Sequence, residues 1–153
     1  MDRSLDVPAN VVEVLRPRIA AVPLVVDSPH SGREYPRDFR HDVDRATLRR
    51  LEDGFVDLLL AGAPTFGATS INAHFPRSYI DPNRAEFDLD PHTLSDEWNA
   101  PASPSHKSKL GVGLVFTRTL DGQDIYARPL QSRDIHHRLE HSYRPYHRAL
   151  SQV

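Results

Sequence analysis

Apolar positions along this 153-residue chain fall into short clusters separated by long polar stretches. Residues 22–28, Val-Pro-Leu-Val-Val-Asp-Ser, form a brief apolar run closed by Pro29 and Gly32. This is the pattern of a strand buried on both faces of a parallel sheet. Beyond the polar loop at Pro29–Gly32, Leu48, Leu51, Phe55, Leu58 and Leu59 recur at helical spacing. Asp44 is a fitting N-cap for that helix, and Gly62 with Pro64 stops it, so one helix is predicted from 44 to 62. Residues 68–75, Ala-Thr-Ser-Ile-Asn-Ala-His-Phe, read as a second strand, followed by a polar loop over 76–84. A βαβ unit with a right-handed crossover follows.

The rest is less periodic. Residues 86–109 are rich in Pro, Ser, Asp and His and predict a long loop able to cover a site. Residues 112–119 and 124–128 flank Asp121-Gly122 and predict a hairpin, because Asp-Gly favours a tight primed turn. Ser132 is expected to cap a terminal helix that carries Ile135, Leu139, Tyr143, Tyr146 and Leu150, with Pro145 forced to kink or break it. The fold class is therefore α/β, a mostly parallel or mixed sheet flanked by helices, in one domain over residues 1–153. No internal repeat is visible.

Composition narrows the function. Thirteen prolines fit prominent irregular connections. Nineteen basic residues scattered among 21 acidic ones, for a net charge of −2, leave no footprint for a polyanion, so nucleic acid is not expected as a partner. The chain has no cysteine, which excludes disulfides and thiolate metal sites; any metal must be held by His, Asp or Glu, and there are nine histidines. The first 20 residues contain no apolar run resembling a signal-peptide core, and no segment approaches the ~20 apolar residues of a membrane span. A cytoplasmic protein with no membrane contact is expected.

Three groups of residues carry candidate chemistry. His30 directly follows a strand, where a rigid strand end aims an imidazole into a crevice, although a single histidine is also compatible with an ordinary structural role. Glu52 and Asp53 lie in the predicted helix, and a carboxylate there would join His30 in a mixed nitrogen and oxygen metal site; a solvated helix charge is the alternative. On a helical wheel Glu52 falls in the apolar stripe, with Asp53 roughly 100° away toward Leu60. The loop Arg77-Ser-Tyr-Ile-Asp-Pro-Asn-Arg84 concentrates two guanidinium groups, an amide and a carboxylate. Arg77, Asn83 and Arg84 suit a substrate carboxylate, and an internal ion pair from Asp81 to an arginine is the competing reading. Tyr143, Tyr146 and His147 fit a core stripe as well as a pocket wall, and His136, His137 and His141 fit a solvated helix face.

In order, Ser28-Pro29-His30-Ser31-Gly32, Tyr35-Pro36, Glu52-Asp53 with Phe55-Val56-Asp57, Phe75-Pro76-Arg77, Asp81 to Arg84, Gly111-Val112-Gly113, Ile125-Tyr126 and Tyr143-Arg144-Pro145-Tyr146-His147 closely resemble the N-formylglutamate amidohydrolase family. The resemblance implies a fold similar to the zinc-dependent exopeptidases. It also implies hydrolysis of N-formyl-L-glutamate to glutamate and formate, as in histidine breakdown, with other N-acyl acidic amino acids as related small-molecule substrates. By motif position His30 and Asp53 correspond to ligands of a divalent metal, zinc, with Glu52 as the alternative to Asp53. Arg77, Asn83 and Arg84 correspond to the group holding the substrate carboxylate, one arginine alternatively polarising the scissile carbonyl. The family's pattern continues past the Tyr-His helix to a further metal-binding histidine and a catalytic glutamate. The chain is therefore expected to represent the family's N-terminal portion, with the third ligand and the general base unassigned and His74, His106 or His147 as weaker substitutes.

Overall fold

The computed structural model of the protein describes residues 10–153. The first nine residues, including part of the stretch read for a signal-peptide core, lie outside them. Three strands form one mixed sheet, β1 (Val12–Leu15), β2 (Val25–Ser28) and β3 (Thr69–Ala73), in the order β1-β3-β2. β2 pairs parallel with β3, from Val25 opposite Thr69 to Ser28 opposite Asn72, whereas β1 pairs antiparallel, with Val12 opposite Ala73. β3 is central, and Ile71 on it is fully buried. The core spreads from this strand to Leu48, Ile80, Leu114, Ile125 and Ile135.

The sheet corrects the first expectation: β2 is not buried on both faces but stands at an edge, with Leu24 just before it 53% exposed. β1 precedes every predicted element and pairs antiparallel on the other side of β3.

The helix expected over 44–62 is two short helices, α1 (Arg45–Arg49) and α2 (Val56–Leu59). α1 begins as predicted, with the Asp44 carboxylate accepting from Thr47 N at 2.6 Å, and it is anchored by fully buried Leu48. The break between them comes from tertiary bonds that outcompete helical ones. Asp53 N donates to the carbonyl of His30 at 3.1 Å, and Phe55 adopts a left-handed φ of 69°. The orphan N–H groups that open α2 are met from another loop: the Ser31 hydroxyl accepts from Val56 N at 3.1 Å and Asp57 N at 3.4 Å while donating to Asp53 O at 2.6 Å.

The predicted hairpin survives only at its tip, where Thr119 N donates to Gln123 O and Ile125 N to Thr117 O, each at 2.9 Å. The Asp121-Gly122 turn forms, with Gly122 at φ 87°. Its flanks, however, make only isolated bridges, Val112 with Phe116 and Arg118 with Asp124. Backbone groups there are spent on other loops: Leu114 N donates to Asp88 O, and Leu114 O accepts from Asp81 N at 2.7 Å. The long segment 86–109 is irregular apart from a 3₁₀ turn at Pro91–Thr93 and α3 (His106–Lys109). The terminal helix runs as α4 (Ser132–Arg138) and α5 (Arg144–Ser151), joined by a π turn at Leu139–Tyr143. That wider turn sits immediately before Pro145 and absorbs the missing N–H and ring clash, so the chain bulges where a break was expected. Among the described residues, no helix is long and apolar enough to cross a membrane.

Candidate active site

Parallel pairing sets β2 and β3 side by side with their carboxyl ends together, so the loops that follow them, 29–34 and 74–84, meet. The approach is close because of Gly32. A Cβ there would strike the Phe75 carbonyl oxygen and lie 2.6 Å from the carbonyl of His74. Glu34 N donates to His74 O at 2.8 Å and staples the two loops.

His30 is consequently buried between two carboxylates. Its Nδ1 lies 2.9 Å from Asp53 Oδ2, and its Nε2 lies 2.7 Å from Asp81 Oδ1. Asp81 is fully buried and is the hub of the cluster. Besides His30 it accepts from Arg77 at 2.8 Å and from the backbone N of Asn83 at 2.9 Å, with Arg84 Nε at 3.9 Å. Burial pushes its carboxyl up, but the hydrogen bond and charge of His30 and the Arg77 guanidinium outweigh this and hold it below its ordinary 3.8. Asp53 is the open member, with its side chain 55% exposed and Arg77 3.5 Å away.

The choice between Glu52 and Asp53 as neighbour of His30 resolves geometrically. Neither is helical. Glu52 turns inward, where it accepts from the Tyr35 hydroxyl and faces Arg49 at 3.6 Å, whereas Asp53 points at His30. Of the three residues assigned to a substrate carboxylate, Arg77 is committed to Asp81, as the competing reading anticipated. Asn83 contributes its backbone and leaves its side chain exposed. Arg77 Nε and Arg84 Nε are both buried without a hydrogen-bond acceptor.

The terminal helix buttresses this loop. The Tyr143 hydroxyl donates to Arg84 O at 2.7 Å, and His147 Nε2 donates to Pro82 O at 3.0 Å. Tyr143 and Tyr146 thus serve core and site together, and burial with the nearby Glu86 and Asp81 pushes the Tyr143 hydroxyl up to about 12. One pair escaped the sequence reading: Tyr146 donates to Asp27, the last charged residue before His30. Partial desolvation raises the Asp27 carboxyl above the usual range, against the pull of Tyr146, His30 and His147. The signal available was a lone carboxylate ending an apolar strand. His74 lies apart, 3.7 Å from Glu34, while His137 and His141 stack on each other at the surface.

His30 Nδ1 and Asp53 Oδ2 fit two positions around a divalent cation. They stand at a hydrogen-bond separation of 2.9 Å, and two ligands of a tetrahedral zinc at ~2.1 Å lie about 3.4 Å apart, so the pair would open slightly to hold the ion. Asp81 sits on the opposite ring nitrogen and so cannot join them. Among the described residues, no group of three or more His, Cys, Asp or Glu side chains is placed to hold a metal.

The family model for N-formylglutamate amidohydrolase matches residues 22–153, and the chain belongs to that family. Among solved structures it is similar to the crystal structure of N-formylglutamate amidohydrolase from Ralstonia eutropha JMP134, at 42% identity and a TM-score of 0.89. That match covers 94% of this chain and 51% of the Ralstonia chain, so this protein spans about half the length of its relative. No curated protein matches the chain.

Proposed function

We propose that the protein is a metal-dependent hydrolase of the amide bond of N-formyl-L-glutamate or a related N-acyl acidic amino acid. The observation that carries this reading is the His30 ring held between buried Asp81 and open Asp53, beside two guanidinium groups with unpaired N–H donors. His30 and Asp53 would hold the divalent ion, zinc in this reading, which supplies Lewis acidity at the amide carbonyl and a water acidified toward ~7. Asp81 accepts a hydrogen bond from Nε2–H, which fixes the tautomer and leaves the Nδ1 lone pair for the metal. Arg84, with the exposed amide of Asn83, binds the substrate carboxylate. Arg77, anchored on Asp81, is oriented toward Asp53 and donates to the acyl oxygen or the same carboxylate.

The two-donor metal pair favours one further reading, a relative that binds acidic ligands through Arg84 and Asn83 without turnover. Formate release from N-formyl-L-glutamate, metal content after dialysis against zinc and calorimetric binding of the same compound separate the two. Hydrolysis and a bound zinc, both lost in His30→Ala, are expected for the enzyme. Binding without formate, unchanged in His30→Ala, would instead establish the second reading, and neither activity nor binding would sink both.

A further inference from the structure

His136, His137 and His141 read from the sequence as a solvated helix face, and the structure makes a pair of the last two. His137 lies in the last turn of α4, and His141 follows four residues on, inside the π turn at Leu139–Tyr143. That spacing sets both rings on one face, stacked with centroids 4.1 Å apart and planes 26° from parallel. Both residues are exposed, with 49% of the His137 side chain open to solvent. Together with Glu34, Arg37, Asp38 and Tyr79 they wall a hollow of about 290 Å³.

Hydrogen bonding decides which ring nitrogens are free. His141 Nδ1 lies 2.9 Å from the carbonyl oxygen of His137. A carbonyl only accepts, so the proton is on Nδ1 and the Nε2 of the neutral ring carries a lone pair. Metal-bound imidazoles are held in this way, the second nitrogen donating to a carbonyl or carboxylate. His137 Nε2 faces Asp38 Oδ2 across 3.7 Å, beyond hydrogen-bond reach, and that oxygen already accepts from the Tyr79 hydroxyl at 2.6 Å. Two imidazole nitrogens without a hydrogen-bond partner among the described residues therefore stand side by side, next to a carboxylate whose charge favours a cation. Among the described residues, no third His, Asp or Glu side chain is placed to complete a ligand set, so an ion held here keeps water in its remaining positions.

We propose that His137 and His141 chelate one divalent transition-metal ion of the imidazole-preferring class, copper(II) or nickel(II), through their Nε2 atoms. The exposed rings splay from their stack to share the ion, and the chelate ties the end of α4 to the π turn. Two nitrogen ligands select against magnesium and calcium, which take oxygen, and copper(II) stands above nickel(II) and zinc in affinity for the same donors. The site is separate from the His30 pair and independent of any hydrolysis.

The test is calorimetric titration with copper(II) of the untagged 153-residue chain carrying His30→Ala, which removes the other candidate metal position. One ion per chain is expected, with nitrogen hyperfine splitting in its electron paramagnetic resonance spectrum. Adding His137→Gln or His141→Gln should weaken binding by about 100-fold, the advantage of a second linked ligand. The ion should also raise the melting temperature of the chain that keeps both histidines and leave the two variants unmoved. Both positions are exposed, so metal-free melting should be the same in all three. Copper(II) held equally well by either variant, magnesium held as tightly as copper(II), or no copper(II) bound at all would overturn the proposal.

Discussion

Asp81 makes more of the site than any other side chain, and its partners define what losing it does. It is fully buried, and its oxygens accept from His30, Arg77 and the backbone of Asn83. Removing one member of a buried ion pair costs more than the pair is worth, because the remaining charge is left without compensation. Asp81→Ala is therefore expected to destabilise the protein by about 3–5 kcal/mol in urea denaturation. Asp53→Ala, at a half-exposed position with solvent to replace the lost partner, should cost under ~1 kcal/mol. Equal costs at the two positions would show that Asp81 is not the hub. Sequence alone names Asp81 only as a local partner for an arginine. Its bond to His30 spans 51 residues and needs the parallel pairing of β2 and β3 before it exists.

At the scale of elements, the geometry depends on two devices, a glycine that lets loops touch and carboxylates that open helices. Gly32→Ala places a methyl against the backbone carbonyls of His74 and Phe75, which cannot rotate away as a side chain would. The expected loss is about 1–3 kcal/mol, as for overpacking. A shift of the His30 ring resonances should accompany it, since the loop must lift from β3; an unshifted His30 spectrum would contradict this. Asp44 makes a pH-dependent contribution. Its hydrogen bonds from Thr47 hold its carboxyl below the ordinary 3.8, so the charged cap favours the folded state. That benefit is present above the ordinary value and is lost as pH falls through the depressed folded value. The melting temperature of the parent relative to Asp44→Asn should accordingly be higher at neutral pH and converge on it in acid; a constant difference would rule out titration of Asp44 as the cause. The same region shows where sequence periodicity stops being informative. Leu48, Leu51, Phe55, Leu58 and Leu59 have helical spacing, yet Ser31 and the His30 carbonyl claim the N–H groups of Asp53, Val56 and Asp57 and split the helix. A hydroxyl more than 20 residues upstream leaves no mark in a local pattern. Pro145, by contrast, announces a disturbance that a π turn then resolves.

Across the whole molecule Arg138 adds to Tyr143 and His147 in joining the terminal helices to the rest of the fold. Arg138 on α4 is 1% exposed and forms no ion pair among the described residues. Its charge is met by two acceptors, Tyr79 O and the Tyr126 hydroxyl, each at 2.8 Å, and by the faces of Phe39, Tyr79 and Tyr126, the closest 4.3 Å from the guanidinium carbon. These partners come from the loop after β2, the loop after β3 and the segment before α4, so a planar cation with several donors bridges three parts of the chain that no strand connects. Lysine lacks that geometry: its ammonium is compact and cannot stack on several rings while donating to two acceptors. Arg138→Lys should therefore not rescue, and both it and Arg138→Ala should cost about 3 kcal/mol or more, since a buried cavity or a poorly solvated charge results. Arg138→Met keeps the volume and removes the desolvated charge, so it should lose less than either, by about 1–2 kcal/mol. Urea denaturation of the three variants checks the order. If lysine equals the parent, the site needs only a positive charge and the aromatic box is incidental. If methionine is the worst of the three, the bonds to Tyr79 and Tyr126 outweigh packing, and the loop from Tyr79 to Asp81 depends on the terminal helix for its position.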